Sequence, residues 1–149
     1  MDGLGITDIG HVAIRARDLD RVLAFYTGTL GFPEMFRLCT DAGDLMLVYV
    51  RVTDRQYLEF FPNGAGDTPP REAAGLNHLC LAVADLGATV AALAARGIAP
   101  SRGPQLGRDG NRQAWIEDPE GNRIELMELA ADSRQAAAIA RLRDAGRAG

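Results

Sequence analysis

Ile9-Gly10-His11-Val12-Ala13-Ile14-Arg15, followed by Asp18-Leu19, returns 67 residues later as Leu76-Asn77-His78-Leu79-Cys80-Leu81-Ala82, followed by Asp85-Leu86. The repeat aligns His11 with His78 and Asp18 with Asp85. Further on, Gly31 matches Gly97 at an offset of 66, and Leu58-Glu59-Phe60 matches Ile124-Glu125-Leu126 at the same offset. A register that drifts by one residue over so long a span marks two copies of one supersecondary plan.

Each copy reads as a strand, a helix and three strands. Residues 9–16 alternate and are rich in Val, Ile and Ala, a strand pattern. Asp18 stands where a helix N-cap accepts backbone N–H bonds. The helix is expected to run to about Leu30 on an apolar face of Leu19, Val22, Leu23, Phe25 and Tyr26, with Gly31 ending it. Strands are expected near 34–40, 45–52 and 56–61, the first two joined through Asp41-Ala42-Gly43-Asp44. Residues 62–74 hold too much Gly and Pro for an element interior and read as a connector.

The second copy predicts a strand at 77–83, an Asp85-capped helix to about Arg96, a short strand near 98–101, and strands at 112–117 and 122–129. Asp118-Pro119-Glu120-Gly121 is the tight turn before the last strand. The segment Gly103–Gly110 reads as a loop able to cover a substrate, and the Ala-rich tail 132–145 as a docked terminal helix. The fold class is therefore α+β. Two βαβββ modules, about 7–62 and 75–130, and a helical tail at 131–149 make a single domain.

A 149-residue chain with 47% hydrophobic and 24% charged residues can bury a core without disulfides. Its two cysteines, Cys39 and Cys80, form no framework and suit a reducing cytoplasm. Met1-Asp2-Gly3-Leu4-Gly5 carries no basic region followed by an apolar run, so no signal peptide is expected, and no stretch of eighteen apolar residues suggests a membrane span. Net charge is −4 with the signs intermixed, which argues against nucleic acid or an anionic membrane as partner. A small-molecule site is the expectation.

The protein's two histidines fall at the same place in the two copies, and each copy ends on a strand centred on a glutamate. Glu59 within Tyr57-Leu58-Glu59-Phe60-Phe61, and Glu125 within Arg123-Ile124-Glu125-Leu126-Met127, are carboxylates set among apolar residues. Burying an unpaired carboxylate is costly, so a base or a metal should accompany each. Two histidines and two carboxylates make an N/O donor set suited to Zn, Ni, Co, Mn or Fe(II). Strand alternation puts Ala13 and Arg15 on the side of His11, Phe61 and Asn63 with Glu59, Cys80 and Ala82 with His78, and Met127 with Glu125. Cys80 reads as a packing cysteine.

Those residues, with Gly10-His11-Val12-Ala13-Ile14, Phe25-Tyr26, Leu30-Gly31-Phe32, Asn77-His78 and Asp118-Pro119-Glu120-Gly121-Asn122-Arg123-Ile124-Glu125-Leu126, resemble the vicinal oxygen chelate superfamily. That superfamily includes glyoxalase I, extradiol dioxygenases, fosfomycin-resistance enzymes, methylmalonyl-CoA epimerase and bleomycin-resistance proteins. The resemblance spans His11 to Leu129. It implies paired modules forming a cupped mixed sheet around one divalent metal, often across a homodimer, with His11, Glu59, His78 and Glu125 in the ligand positions.

The His/Glu/His/Glu pattern resembles that of bacterial glyoxalase I. It implies a lactoylglutathione lyase type of isomerase, carrying Ni or Zn first among the candidate metals, that acts on a 2-oxoaldehyde–thiol hemithioacetal through an enediolate. Glu125 is the expected base and Glu59 the second candidate. Arg15 and Asn63, four residues after His11 and Glu59, match the positions that hold a thiol conjugate. Phe60-Phe61-Pro62 and a Gly/Pro/Ala loop depart from the glyoxalase I pattern and leave the thiol partner open. Rival expectations are a metal-dependent epimerase of the methylmalonyl-CoA type and a non-catalytic small-molecule-binding resistance protein.

Overall fold

The computed structural model describes residues 4–147. Met1, Asp2 and Gly3, part of the segment read for a leader, lie outside the described residues, as do the last two of the tail. Two four-stranded mixed sheets form, ordered β1-β4-β3-β2 and β5-β8-β7-β6. The chain divides into two compact units. Of the described residues, one unit holds those up to 69 together with 118–121, and the other holds 70–117 and those from 122 on.

In the first unit, β1 (His11–Arg15) leads into α1 (Leu19–Leu23), then β2 (Glu34–Cys39), β3 (Leu45–Arg51) and β4 (Tyr57–Phe61). β1 pairs parallel to β4, whereas β3 pairs antiparallel with both β2 and β4. Asp18 caps α1 by accepting from the Arg21 N–H at 3.0 Å. The expected continuous helix to Leu30 is instead α-helical only to Leu23 and π-helical over Ala24–Thr29, where the Leu30 N–H reaches back to the Phe25 carbonyl. The wider turn lets the adjacent aromatics Phe25 and Tyr26 both enter the core, where Tyr26 packs 4.7 Å from Phe60. Val22, Val48, Val50 and Leu58 complete that core, and full burial of each large side chain contributes roughly 1.5–3 kcal/mol.

The turn 118–121 belongs to this unit through specific bonds. The buried Tyr26 hydroxyl donates to Asp118 Oδ2 at 3.2 Å. Glu120 Oε1 accepts from the N–H groups of Arg17 and Asp18 at 3.1 and 2.9 Å, and Arg17 Nε pairs with Oε2 at 2.6 Å. Burial alone would raise the Glu120 pKa, but the two amides and the guanidinium outweigh it and hold it below the ordinary 4.5.

The second unit repeats the plan: β5 (Leu79–Ala82), α2 (Leu86–Ala94), β6 (Arg102–Leu106), β7 (Arg112–Glu117) and β8 (Arg123–Glu128). β5 is parallel to β8, and the other pairings are antiparallel. Leu86, Leu93, Ala114, Ile116, Ile124 and Leu126 form its core. One expectation needs correction. The strand placed near 98–101 lies at Arg102–Leu106, within the segment read as a covering loop. Gly103 and Pro104 read as breakers, yet an edge strand tolerates both, and the pairing register shifts between Arg102 and Gln105 to accommodate them. The terminal helix α3 (Arg134–Arg147) is held by the fully buried Asn111, whose amide donates to Asp109 and Gln135 at 2.8 Å and accepts from the Ala130 N–H. No described helix is long and apolar enough to cross a membrane.

Candidate functional site

The parallel β1–β4 pairing sets Ala13 opposite Glu59 and Arg15 opposite Phe61, and β3 sets Tyr49 opposite Glu59. Leu58 and Phe60 point into the core, so Glu59 faces the other side of the sheet. There His11 Nε2 stands 3.4 Å from Glu59 Oε2. The Tyr49 hydroxyl lies within reach of the Glu59 carboxylate, and its interaction with Glu59, followed by burial and the carboxylate's charge, holds the phenol above its ordinary pKa. Phe36 stacks on Tyr49 at 4.6 Å and fixes the ring.

In the other unit the same register sets Cys80 and Trp115 opposite Glu125. His78 Nε2 stands 3.1 Å from Glu125 Oε2, with the Trp115 ring edge-on to the imidazole at 4.8 Å. Cys80 is exposed and does not pack in the core as expected, because the sheet face carrying Glu125 is open on the side of β5. Partial desolvation, then the charge of the nearby Glu125 carboxylate, push the thiol up to about 11. At neutral pH it is a weak donor to that carboxylate.

Asn77 organises this pair. Its amide nitrogen donates to the Arg71 carbonyl at 2.8 Å, which turns its oxygen toward His78 Nδ1 at 3.0 Å. With Nδ1–H donating to Asn77, a neutral His78 presents the lone pair of Nε2 to a carboxylate oxygen, which is also an acceptor. Two acceptors at 3.1 Å require a cation between or beside them, either a proton or a metal ion.

Both pairs fit a divalent ion. Donors each about 2.1 Å from one ion stand about 3.0 Å apart at a right angle and about 3.4 Å apart at the tetrahedral angle. The two observed separations, 3.1 and 3.4 Å, are of that size. The imidazole and carboxylate donors suit Zn, Ni, Co, Mn or Fe(II). Among the described residues no group of three or more His, Cys, Asp or Glu side chains is placed to hold a metal, so each unit offers a pair.

Of the expected substrate contacts, Arg15 shares the His11 face, with Nη1 donating to the Pro62 carbonyl at 2.8 Å and the guanidinium 5.2 Å from the Phe61 ring. Asn63 is exposed and lies beyond the end of β4 with φ 61°, so strand alternation does not carry it onto the Glu59 face. Tyr49 and Trp115 were not singled out from sequence. Their matched place opposite the two glutamates, at the same 66-residue offset, is the signal that would have found them.

Comparison with known proteins agrees with this architecture. The chain is 34% identical over 131 residues to the uncharacterized Escherichia coli protein YaeR, covering 84% of this chain and 98% of that one. It is 29% identical to a probable lactoylglutathione lyase from Synechocystis, over 79% of this chain and 92% of that protein. The crystal structure of a glyoxalase family protein from Enterococcus faecalis superposes with a TM-score of 0.71 at 27% identity, covering 81% and 97% of the two chains. The family model of the Glyoxalase/Bleomycin resistance protein/Dioxygenase superfamily matches residues 8–126, and the chain belongs to that superfamily.

Proposed function

We propose that the protein is a metal-dependent isomerase of the lactoylglutathione lyase type, acting on a 2-oxoaldehyde–thiol hemithioacetal. The observation that carries this reading is the duplicated His–Glu pair, each with donor atoms spaced as neighbours on one ion. The Synechocystis relative's name points the same way. His11, Glu59, His78 and Glu125 would together hold one divalent ion, the halves pairing within a chain or across a homodimer. Ni and Zn lead the candidates.

When bound, the metal supplies Lewis-acid stabilisation of negative charge on the substrate's two vicinal oxygens. The chain's own residues perform the proton transfer. The Glu125 carboxylate takes the proton from the hemithioacetal carbon and returns it to the adjacent former carbonyl carbon, so that a 2-hydroxy thioester leaves with no net loss or gain of atoms. Glu59 is the second candidate for that role. Arg15 retains N–H groups beyond the one given to Pro62 and, with Asn63, would meet an anionic arm of the thiol conjugate.

The test is isomerisation of the methylglyoxal–glutathione hemithioacetal by protein stripped of metal and reloaded separately with Ni and Zn. Metal-dependent turnover, with one ion bound per two His–Glu pairs, is expected. Protein that binds an ion with that stoichiometry but leaves the adduct unchanged would retire glutathione as the thiol and put in its place an epimerase acting on an acyl thioester or an isomerase using a different thiol.

A further inference from the structure

A cavity of about 370 Å³ opens in the second unit, bordered by Arg71, Ser101, Arg102, Trp115, Glu117 and Arg123. Three guanidiniums and one carboxylate leave it with two excess positive charges. Among the described residues none of the three arginines forms a salt bridge, although five other arginines do. Arginine forks left without carboxylate partners around a cavity of ligand size are suited to an oxyanion.

The cavity is built into the same framework as the His78–Glu125 pair. Arg123 donates through Nε and Nη2 to the Asn77 carbonyl at 3.1 and 2.5 Å. The Asn77 amide nitrogen ties down the Arg71 carbonyl, and its oxygen meets His78 Nδ1. Along β7 and β8, Trp115 lies opposite Glu125 and Glu117 opposite Arg123, so these four share one face of the sheet. Trp115 thus borders the cavity and also meets the His78 imidazole. It is therefore the side chain shared by the cavity lining and the surroundings of the His78–Glu125 pair.

We infer that this cavity holds a phosphoryl group carried on an arm of the substrate, which makes the natural substrate a phosphorylated hemithioacetal rather than the simple glutathione adduct. The inference rests on the isomerase reading for the arm's connection to Glu125. The charge count separates phosphate from carboxylate. A phosphomonoester carries close to two negative charges at neutral pH and matches the two excess positive charges, whereas one carboxylate leaves the cavity cationic. The three outer oxygens of a phosphoryl group offer a site to the Arg71 and Arg102 forks, which are exposed enough to turn onto it, and to the Arg123 N–H groups not given to Asn77.

Trp115 is the protein's only tryptophan, so its fluorescence reports on the cavity directly. Metal-free protein is titrated with inorganic phosphate, glycerol phosphate, acetate and glutathione at constant ionic strength. The phosphate compounds are expected to give a saturable change, with acetate and glutathione at least about tenfold weaker. Arg102→Gln and Arg71→Gln, with circular dichroism unchanged, are each expected to weaken phosphate binding about tenfold, the loss of one charge-assisted bond. An equal response to acetate or glutathione, no saturable response to phosphate, or unaltered binding in both variants would overturn the inference. The titration reads binding without turnover. Phosphate binding in a protein inactive on every hemithioacetal would sink the isomerase reading and leave the anion site. Full activity on the glutathione adduct without phosphate binding would do the reverse.

Discussion

The two His–Glu pairs descend from the same stretch of pattern, yet each half secures a different member of its pair. In the first, the carboxylate is fixed. Glu59 has only 9% of its side chain exposed and faces the Tyr49 phenol, while His11 is 48% exposed and follows Gly10, which has no side chain to orient it. In the second, the imidazole is fixed. His78 is 30% exposed and follows Asn77, whose amide holds Nδ1, whereas Glu125, 15% exposed, has among the described residues His78 at hydrogen-bond distance and the Cys80 thiol beside it. A carboxylate that must swing to take and return a proton is better served by the second environment, and a permanent ligand by the first.

The sharpest way to break this contrast is to remove each carboxylate's charge separately. Glu125→Gln is expected to lower kcat about a thousandfold, within the range for loss of a general base. Glu59→Gln is expected to weaken metal binding first and to recover much of its turnover when metal is in excess. Steady-state kinetics across a metal titration separates the two, and a larger kcat loss in Glu59→Gln at saturating metal would reverse the assignment of the base.

Next in size come the groups that fix one partner in each half. Tyr49→Phe removes the hydroxyl from Glu59, and Asn77→Ala frees the His78 ring. Each should weaken metal affinity by roughly 10–100-fold, as loss of a ligand's supporting hydrogen bond does. Competition with a chromogenic chelator measures it. If Tyr49→Phe leaves affinity unchanged, the phenol is packing rather than support, and the two halves are more alike than their contacts suggest.

The duplication was readable because it lies in side-chain identity at fixed spacing, and spacing survives folding. His11 and Glu59, and His78 and Glu125, are therefore legible in the sequence as two pairs of nearly equal spacing. Tyr49 and Trp115 are not, because an aromatic in an alternating strand carries no mark of which face it takes until the register with Glu59 or Glu125 is known. The cavity arginines were hidden for a related reason. Arg71, Arg102 and Arg123 come from a connector, the edge strand β6 and the inner strand β8, two strands away, and nothing local in sequence draws them together. β6 was misplaced because Gly103-Pro104 breaks a local strand pattern that pairing with β7 nevertheless sustains.

Smaller effects are expected where the halves anchor their helices. In the second unit the first N–H of α2, at Leu86, donates to Glu128 of β8 at 2.7 Å, so the strand beside it serves as anchor. In the first, the anchor is Glu120, 102 residues beyond Asp18 in the chain. The Glu120 pKa is depressed in the fold, so its stabilisation is present above the unfolded value near 4.5 and is lost as pH falls through the folded value. Glu120→Gln should therefore lower Tm by a few degrees at pH 7, and the difference from the parent should close as pH falls through the folded value, below 4.5. A gap that persists unchanged to pH 3 would mean that Glu120 acts through shape rather than charge.

The smallest effect should come from Cys80→Ala. The change recreates in the second half what the first half already has, since Ala13 occupies the matching position opposite Glu59. A thiol is a weak donor, and Glu125 keeps His78 when it is gone. Metal affinity and kcat should therefore stay within about twofold of the parent, well under the tenfold that a lost charge-assisted bond would produce. A drop as large as that of Tyr49→Phe would mean that the thiol holds Glu125 as firmly as the phenol holds Glu59. The mobility assigned to Glu125 would then have no physical basis, and with it would go the reason for preferring Glu125 over Glu59 as the base.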